Sequence, residues 1–564
     1  MSSQQKKNTF FGGAAILAVG AILVKLIGAP YKILLGNILS NEAFTDFNTA
    51  YNVYNLFLTV STAGLPVALS KTVSEANALG RRNQVHKVFR VALTTFFVLG
   101  LFSFICMSIL GGPLAAAMGD PAAIYCVRAL SLSVLCVCCC SAFRGYAQGH
   151  SYMMPSSVSQ IIEASCKLVF GLALAFAVIR FLPGEPAFRQ QIAAAGAIFG
   201  VSIGSVFSVI YLIRNFRKTR RMEPATATDQ PDSSGAIFSR LLRLAIPITL
   251  GSAAVSIVTL IDTRVVLTLL KQMYTDLPQL IPQAAYEQTI FDAVEFAARG
   301  LKGIYDKCMA VYNLPSALMV PLTASIIPAV SACRARRDFQ GASRISESAM
   351  RVGALLCLPM GIGLFALGGP IVQLLYPGKL DLEVAGSLMS TLGLAAIFVC
   401  IMLICNSILQ ANGMVNLPVL NVIIGGIIKV VVNYVLVGNY AINIKGAPVG
   451  TLCCFAFVSV MDLIIIHRAV PTPPRFTKVF VKPTIAAALM GAGAWGTYGL
   501  LARVMGGAGP ADLSTLGNAV ATFGAIGVGV ILYLVLVLVL RVISKEDLEL
   551  MPKGDKIAKI LHIH

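Results

Sequence analysis

Charge is scarce in this 564-residue chain: only 12% of residues are Asp, Glu, Lys or Arg, with five histidines and a single tryptophan. Water-soluble domains carry about 25% charged residues. With half that supply, a soluble fold of this length cannot coat its surface. No GxxxxGK(S/T) phosphate loop occurs, so nothing in the sequence supports ATP hydrolysis by this chain. His86, His150, His467, His562 and His564 fall in loops or at helix ends and make no metal pattern, and no nucleophile–base constellation is visible. Neither a metal, a cofactor nor a catalytic residue is expected. The 14 cysteines include Cys136, Cys138, Cys139 and Cys140 within one apolar run. Zinc sites want spaced ligands on loops with polar support, so these read as small apolar membrane residues.

What is abundant is apolar: 57% hydrophobic residues and a mean hydropathy of +0.80. The chain therefore reads as an all-α, polytopic membrane protein. A spanning helix needs about 20 mostly apolar residues. Fourteen such runs are expected, near 10–36, 46–70, 88–110, 122–143, 155–180, 190–213, 241–270, 305–332, 350–375, 384–410, 417–438, 446–467, 479–502 and 516–540. The first is too long for a cleavable signal and is interrupted by Lys25 and Lys32.

The net charge of +19 reports topology rather than nucleic acid. With a cytoplasmic N-terminus, 29 of the 44 basic residues fall on inner segments, 8 on outer loops and 7 within spans. That asymmetry obeys the positive-inside rule, and an even span number puts both termini in the cytoplasm. A basic, then polar segment at 214–239 reads as a flexible cytoplasmic linker. The loop 271–304 carries Phe291, Val294, Ala298, Leu301 and Tyr305 on one helical face, as an amphipathic outer helix would. Gly491, Gly493 and Gly496 spell GxGxxG inside an apolar span with no preceding strand, which points to helix packing.

The sequence also repeats itself. VYNL occurs at 53–56 and 311–314, GGP at 111–113 and 368–370, and Gln148 and Gln410 each precede a lysine by 19 residues. These pairs keep their order, 257 to 262 residues apart, as a duplication would. Both VYNL helices run the same way, so the expected halves are parallel repeats: an N-lobe at 1–213, the linker 214–239, a C-lobe at 240–470, two further helices at 471–542 and a cytoplasmic tail at 543–564.

Charges embedded in apolar helices must face water, one another or a ligand, because each costs at least about 2.5–3.5 kcal/mol at the bilayer centre. The basic ones are Lys25, Lys32, Arg128, Lys167, Arg264, Lys307 and Lys429; the acidic ones include Asp46, Glu163, Asp262 and Asp306. Lys25 and Lys32, seven apart, share a face of the first span with no acid on their own helix. Glu163 and Lys167, four apart, can pair. Asp262 and Arg264 point to different sides. Arg128 and Lys429 can snorkel, and Lys307 can sit at the membrane interface. A cationic cleft wanting an anionic ligand is the sharper reading of this set.

Three stretches carry a resemblance: FRGYAQGHSYMMPSSVSQIIEASCKL (143–168), LPSALMVPLTASIIPAVSA (314–332) and SILQANGMVNLPVLNVIIGGIIKVVVNYVLVG (407–438) followed by IKGAPVGT. They resemble the stage V sporulation protein B and polysaccharide-transporter branch of the MOP superfamily, which includes MurJ-type lipid II flippases and MATE exporters. The resemblance implies two six-helix lobes around a V-shaped cavity, two helices bordering a lipid-facing groove, and alternating access. It implies a bacterial plasma-membrane flippase, a monomer, whose partner is a polyprenyl-pyrophosphate-linked glycan, lipid II or another cell-wall or polysaccharide precursor. It also implies substrate contacts at Lys25, Lys32, Lys307 and Asp46; the embedded charges themselves add Arg264 to these, with Arg128, Glu163, Lys167, Asp262 and Lys429 as further candidate cavity charges. Lys25 stands where the family has an arginine. A coupling ion is left unassigned. The alternatives are a MATE-type cation-coupled drug exporter, against which the basic excess counts, and a membrane glycosyltransferase, for which only the loop 271–304 is long enough.

Overall fold

The structure, a computed structural model, describes residues 3–62, 64–220, 229–282, 290–507, 509–540 and 542. The tail 543–564, residues 221–228 of the linker and 283–289 of the loop 271–304 lie outside the described residues.

Among the described residues the regular elements are all helical. In order they are α1 (Ser3–Ile38), α2 (Asn41–Thr62), α3 (Leu65–Ala78), α4 (Arg82–Ile109), α5 (Gly111–Ala117), α6 (Ile124–Gly149), α7 (Met154–Phe181), α8 (Pro186–Arg220), α9 (Ser234–Asp276), α10 (Ile290–Ala335), α11 (Phe339–Ala366), α12 (Gly368–Leu375), α13 (Leu382–Ala411), α14 (Asn416–Val437), α15 (Gly446–Ala469), α16 (Phe476–Val504) and α17 (Thr515–Val539). Twelve helical stretches of the described residues are long and apolar enough to cross a membrane. The protein is a multi-pass membrane protein. Helices α9 and α10, outside that set of twelve, occupy the stretches where the sequence places spans seven and eight.

Helix starts follow local chemistry. Ser233, Asp338, Asp381 and Ser514 each cap a helix by accepting a backbone N–H with the side chain. Proline opens α3 and α7, where its missing N–H costs nothing. The two GGP triplets sit at the joints between α4 and α5 and between α11 and α12. The helix starts keep the sequence's spacing as well. Arg82 and Phe339, which open α4 and α11, lie 257 residues apart, as do Gly111 and Gly368, which open α5 and α12.

The chain divides into two compact units, Met1–Gly303 and Ile304–His564. In the first, α9 packs on α2, α3 and α4, and α7 lies along both α1 and α8. Glycine sets the α7–α8 distance: a Cβ on Gly200 would run into the backbone N of Gly171. Such small-residue crossings take the place of the hydrophobic drive that lipid does not supply. In the second unit α11 packs on α13 and α16, and α16 on α17. Gly491 makes room for Ile362 and Gly493 for Leu532, whereas a Cβ on Gly496 would meet nothing. The only tryptophan, Trp495, is 69% exposed on α16.

The linker is partly docked. Asp229 accepts from the backbone N–H groups of Asn83 and Gln84, both at 2.9 Å. Asp232 accepts from Gln84 Nε2 at 2.9 Å and pairs with Arg81 at 3.2 Å. Arg81, the residue before α4, provides no side-chain cap. Asp229 supplies an anion there from 146 residues away, where unpaired N–H groups and the helix dipole favour one.

Candidate functional site

In the first unit an aromatic cluster holds two of the embedded lysines. Tyr31 on α1 is fully buried and donates to the Ala197 carbonyl at 2.9 Å. The Lys167 ammonium, from α7, lies 4.8 Å from the Tyr31 ring centre and 5.0 Å from that of Tyr51 on α2. Lys32 lies 5.8 Å from the same Tyr51 ring. An ammonium over a ring face is attracted by its quadrupole. Lys25, one face-repeat earlier on α1, is exposed.

The acid expected beside Lys167 is engaged elsewhere. Glu163 pairs with Arg144 of α6 at 3.0 Å, and Arg144 also donates to Ser159 at 2.9 Å and Ser208 at 3.1 Å. A guanidinium binds a carboxylate with directed N–H groups, and α6 brings one within reach. Arg144 lies just beyond the apolar run 122–143, and only helix packing reveals it as the partner. The cluster therefore counts Lys25, Lys32, Lys167 and Arg144 against Glu163.

The remaining charges of this unit are dispersed. Arg264 on α9 is exposed and donates to the Ala117 carbonyl. Arg128 is exposed, its side chain passing over Gly111. Asp262 is buried next to Thr263, which accepts from Asn52 at 3.0 Å. Asp46 faces protein: its carboxylate takes two N–H groups of Arg299, from Nε at 3.0 Å and Nη2 at 2.5 Å. Arg299 also pairs with Asp120 at 3.3 Å. Sequence reasoning put Arg299 in an outer loop and passed over Asp120. Both are buried because α10 already begins at Ile290 and turns Val294, Ala298 and Arg299 inward.

In the second unit Lys307 is fully buried, its ammonium 5.9 Å from the Tyr376 ring centre, and the Tyr376 hydroxyl donates to the Lys307 carbonyl at 3.3 Å. Lys429 is half-buried on α14. An apolar cavity of about 500 Å³ opens between α10, α11, α16 and α17, lined among others by Leu314, Leu356, Met360, Met490, Ile526 and Tyr533. Among the described residues no group of three or more His, Cys, Asp or Glu side chains is placed to hold a metal.

Twelve apolar helices of membrane-crossing length among the described residues, with lysines retained beside aromatic rings, define a multi-pass membrane protein. The chain belongs to the polysaccharide biosynthesis protein family, whose profile it matches over residues 10–333. A second profile, that of the MatE family, matches residues 304–435. Among curated relatives, the lipid II flippase MurJ of Bacillus subtilis (strain 168) is 24% identical over 447 residues, 78% of each chain. Stage V sporulation protein B of the same organism is 23% identical over 561 residues, 97% of this chain and 98% of that one. Among solved structures, a lipid II flippase MurJ in an inward closed conformation superposes with a TM-score of 0.65 at 14% identity. That match covers 93% of this chain and 98% of the other, and the fold is of this kind.

Proposed function

We propose that this protein is a flippase of the bacterial plasma membrane. It moves a polyprenyl-pyrophosphate-linked glycan, lipid II or a close cell-wall precursor, from the cytoplasmic to the outer leaflet by alternating access. The observation that carries the reading is the cationic cluster on α1 and α7: lysines kept in apolar helices beside aromatic ring faces. A pyrophosphate is the ligand such a cluster recognises. Family membership and the names of the relatives support the same class of substrate. In this reading Lys25 and Lys32 meet the pyrophosphate, Lys167 adds to the field and Arg264 is a further contact. The apolar cavity beside α16 and α17 suits an acyl or prenyl chain. With no ATP machinery, the drive is the membrane potential, an ion gradient or consumption of the product; the potential contributes about 2.3 kcal/mol per charge per 100 mV.

The MatE profile favours one second reading, a cation-coupled drug exporter. The two part at Lys25. In cells relying on this protein alone, outer-leaflet exposure of the lipid-linked precursor is the measurement. Lys25→Ala abolishes it, Lys25→Arg keeps part of it because the charge survives without lysine's geometry, and Lys25→Glu falls below Ala. Wild-type exposure in the Ala and Glu variants, with resistance to cationic drugs conferred by the protein, makes it an exporter instead.

A further inference from the structure

Two acids share one arginine inside the first unit. Asp46 lies in the second turn of α2, Asp120 in the turn between α5 and α6, and Arg299 near the start of α10. Both acids are 0% exposed and Arg299 is 7% exposed. Gly119, at φ 79°, makes the turn that delivers Asp120, a conformation open to glycine. All the guanidinium hydrogen bonds that reach the pair fall on Asp46 Oδ1. Asp46 Oδ2 and both carboxyl oxygens of Asp120 are buried and accept no hydrogen bond, although Arg299 Nε lies 3.3 Å from Asp120 Oδ1 as an ion pair. One turn along α2, the Thr49 hydroxyl is buried and likewise has no hydrogen-bond partner.

The charge count is short by one. Two carboxylates against one guanidinium leave a net negative charge, and an uncompensated charge removed from water is costly. Among the described residues the ion pairs reported for these two acids both come from Arg299. On α10, Glu295 is committed to Lys271 of α9 at 3.1 Å, while Lys302 is buried one turn beyond Arg299. On α9, Asp262 is buried and Arg264 is engaged with the Ala117 carbonyl. On α6, the Cys126 thiol faces the pair and Arg128 is exposed. Glu42 of α2 lies against Gly300, adding another acid. At the start of α8, Arg189 is half-buried beside Gln190, which accepts from Ser40 N at 3.0 Å.

We propose that Asp46 and Asp120 together bind one exchangeable proton, and that this is the ion-coupling site of the transporter. The proton converts one carboxylate to a carboxylic acid. Its O–H then donates to an orphaned oxygen of the neighbouring carboxylate, and the cluster becomes neutral: one carboxylate, one acid, one guanidinium. Release of the proton to water restores the surplus negative charge, which the closed packing of α2 on α10 does not tolerate. Proton loss therefore favours an arrangement in which this contact is hydrated. The existence of the proton rests on geometry alone; its coupling role rests on the flippase reading.

The test separates the two. Infrared spectra of the full-length protein in lipid, without substrate, are recorded at neutral pH for wild type, Asp46→Asn and Asp120→Asn. Wild type shows a carboxylic-acid C=O band that shifts in heavy water, and either variant loses it, since each leaves a single carboxylate matched by Arg299. A band that survives in both folded variants, or none in wild type, overturns the site. Transport is then read as precursor exposure in proteoliposomes under an imposed pH gradient. Wild type responds to the gradient, and Asp120→Asn loses at least tenfold of that response. Loss of the band with an unchanged response overturns the coupling role and leaves the flippase reading standing; a response to sodium in place of protons does the same.

Discussion

Arg299 and Lys25 are both basic residues of a membrane protein, and removing them has opposite costs. Arg299 is buried between two carboxylates. Arg299→Ala strands both acids, and breaking a buried pair by deleting one partner costs about 3–5 kcal/mol. The expected result is a protein that loses its elution peak in mild detergent a few degrees below wild type, or fails to accumulate. Arg299→Ala combined with Asp46→Asn recovers part of that loss, because one stranded charge has gone. Lys25, exposed on α1, leaves thermal stability near wild type when truncated. A fall in stability equal to that of Arg299→Ala would assign Lys25 to structure. This contrast was half legible in the sequence. Lys25 and Lys32 stand out because they interrupt an apolar run on a helix without acids. Arg299 and Asp120 lie in segments that read as outer loops, and burial of a loop charge is decided by tertiary packing. The partner of Glu163 is another case: the neighbour four residues along is Lys167, but the ion pair is made across helices with Arg144.

Elements were easier to foresee than their contacts. Apolar runs of the right length fix where helices lie, and the GGP breaks recur at the two expected joints. The docking of the linker was not foreseeable, since a polar, proline-containing stretch carries no apolar pattern to position it. Its hold on α4 is electrostatic and therefore depends on pH. Partial desolvation pushes the Asp229 carboxyl up, and the N–H groups of Asn83 and Gln84 with the Arg81 guanidinium outweigh it and keep the carboxyl below its ordinary 3.8. A depressed carboxyl stabilises the docked state above its free value. That contribution is complete near neutrality and is lost as pH falls below 3.8 through the docked value. Hydrogen exchange at the Asn83 and Gln84 amides is the measurement. Protection holds from pH 7 to 5, falls in more acidic buffer, and is absent at all pH values in Asp229→Ala. Unchanged protection in that variant would mean the amides are covered by something other than the linker.

For the whole molecule the charge asymmetry predicts an orientation. It assigns Lys379, in the exposed turn after α12, to an outer loop and Arg337, in the turn before α11, to an inner one. The chain has 14 cysteines of its own, so the probe is a single cysteine in a cysteine-free variant. A reagent that does not cross membranes labels a cysteine at Lys379 in intact cells and leaves one at Arg337 unlabelled until the cells are opened. Labelling in the reverse sense inverts the orientation, and with it the direction of transport.

The lone Trp495 makes this chain its own optical instrument. It follows Ala494, which lines the apolar cavity, and projects from α16 largely uncovered. Indole emission from the whole protein therefore comes from one ring at one depth, on a helix that borders the apolar hollow of the second unit. Bromine atoms placed at successive carbons of the lipid chains dim that emission most when they lie level with the ring. A ligand whose tail enters the hollow changes the depth at which dimming peaks, so occupancy can be followed without attaching any dye.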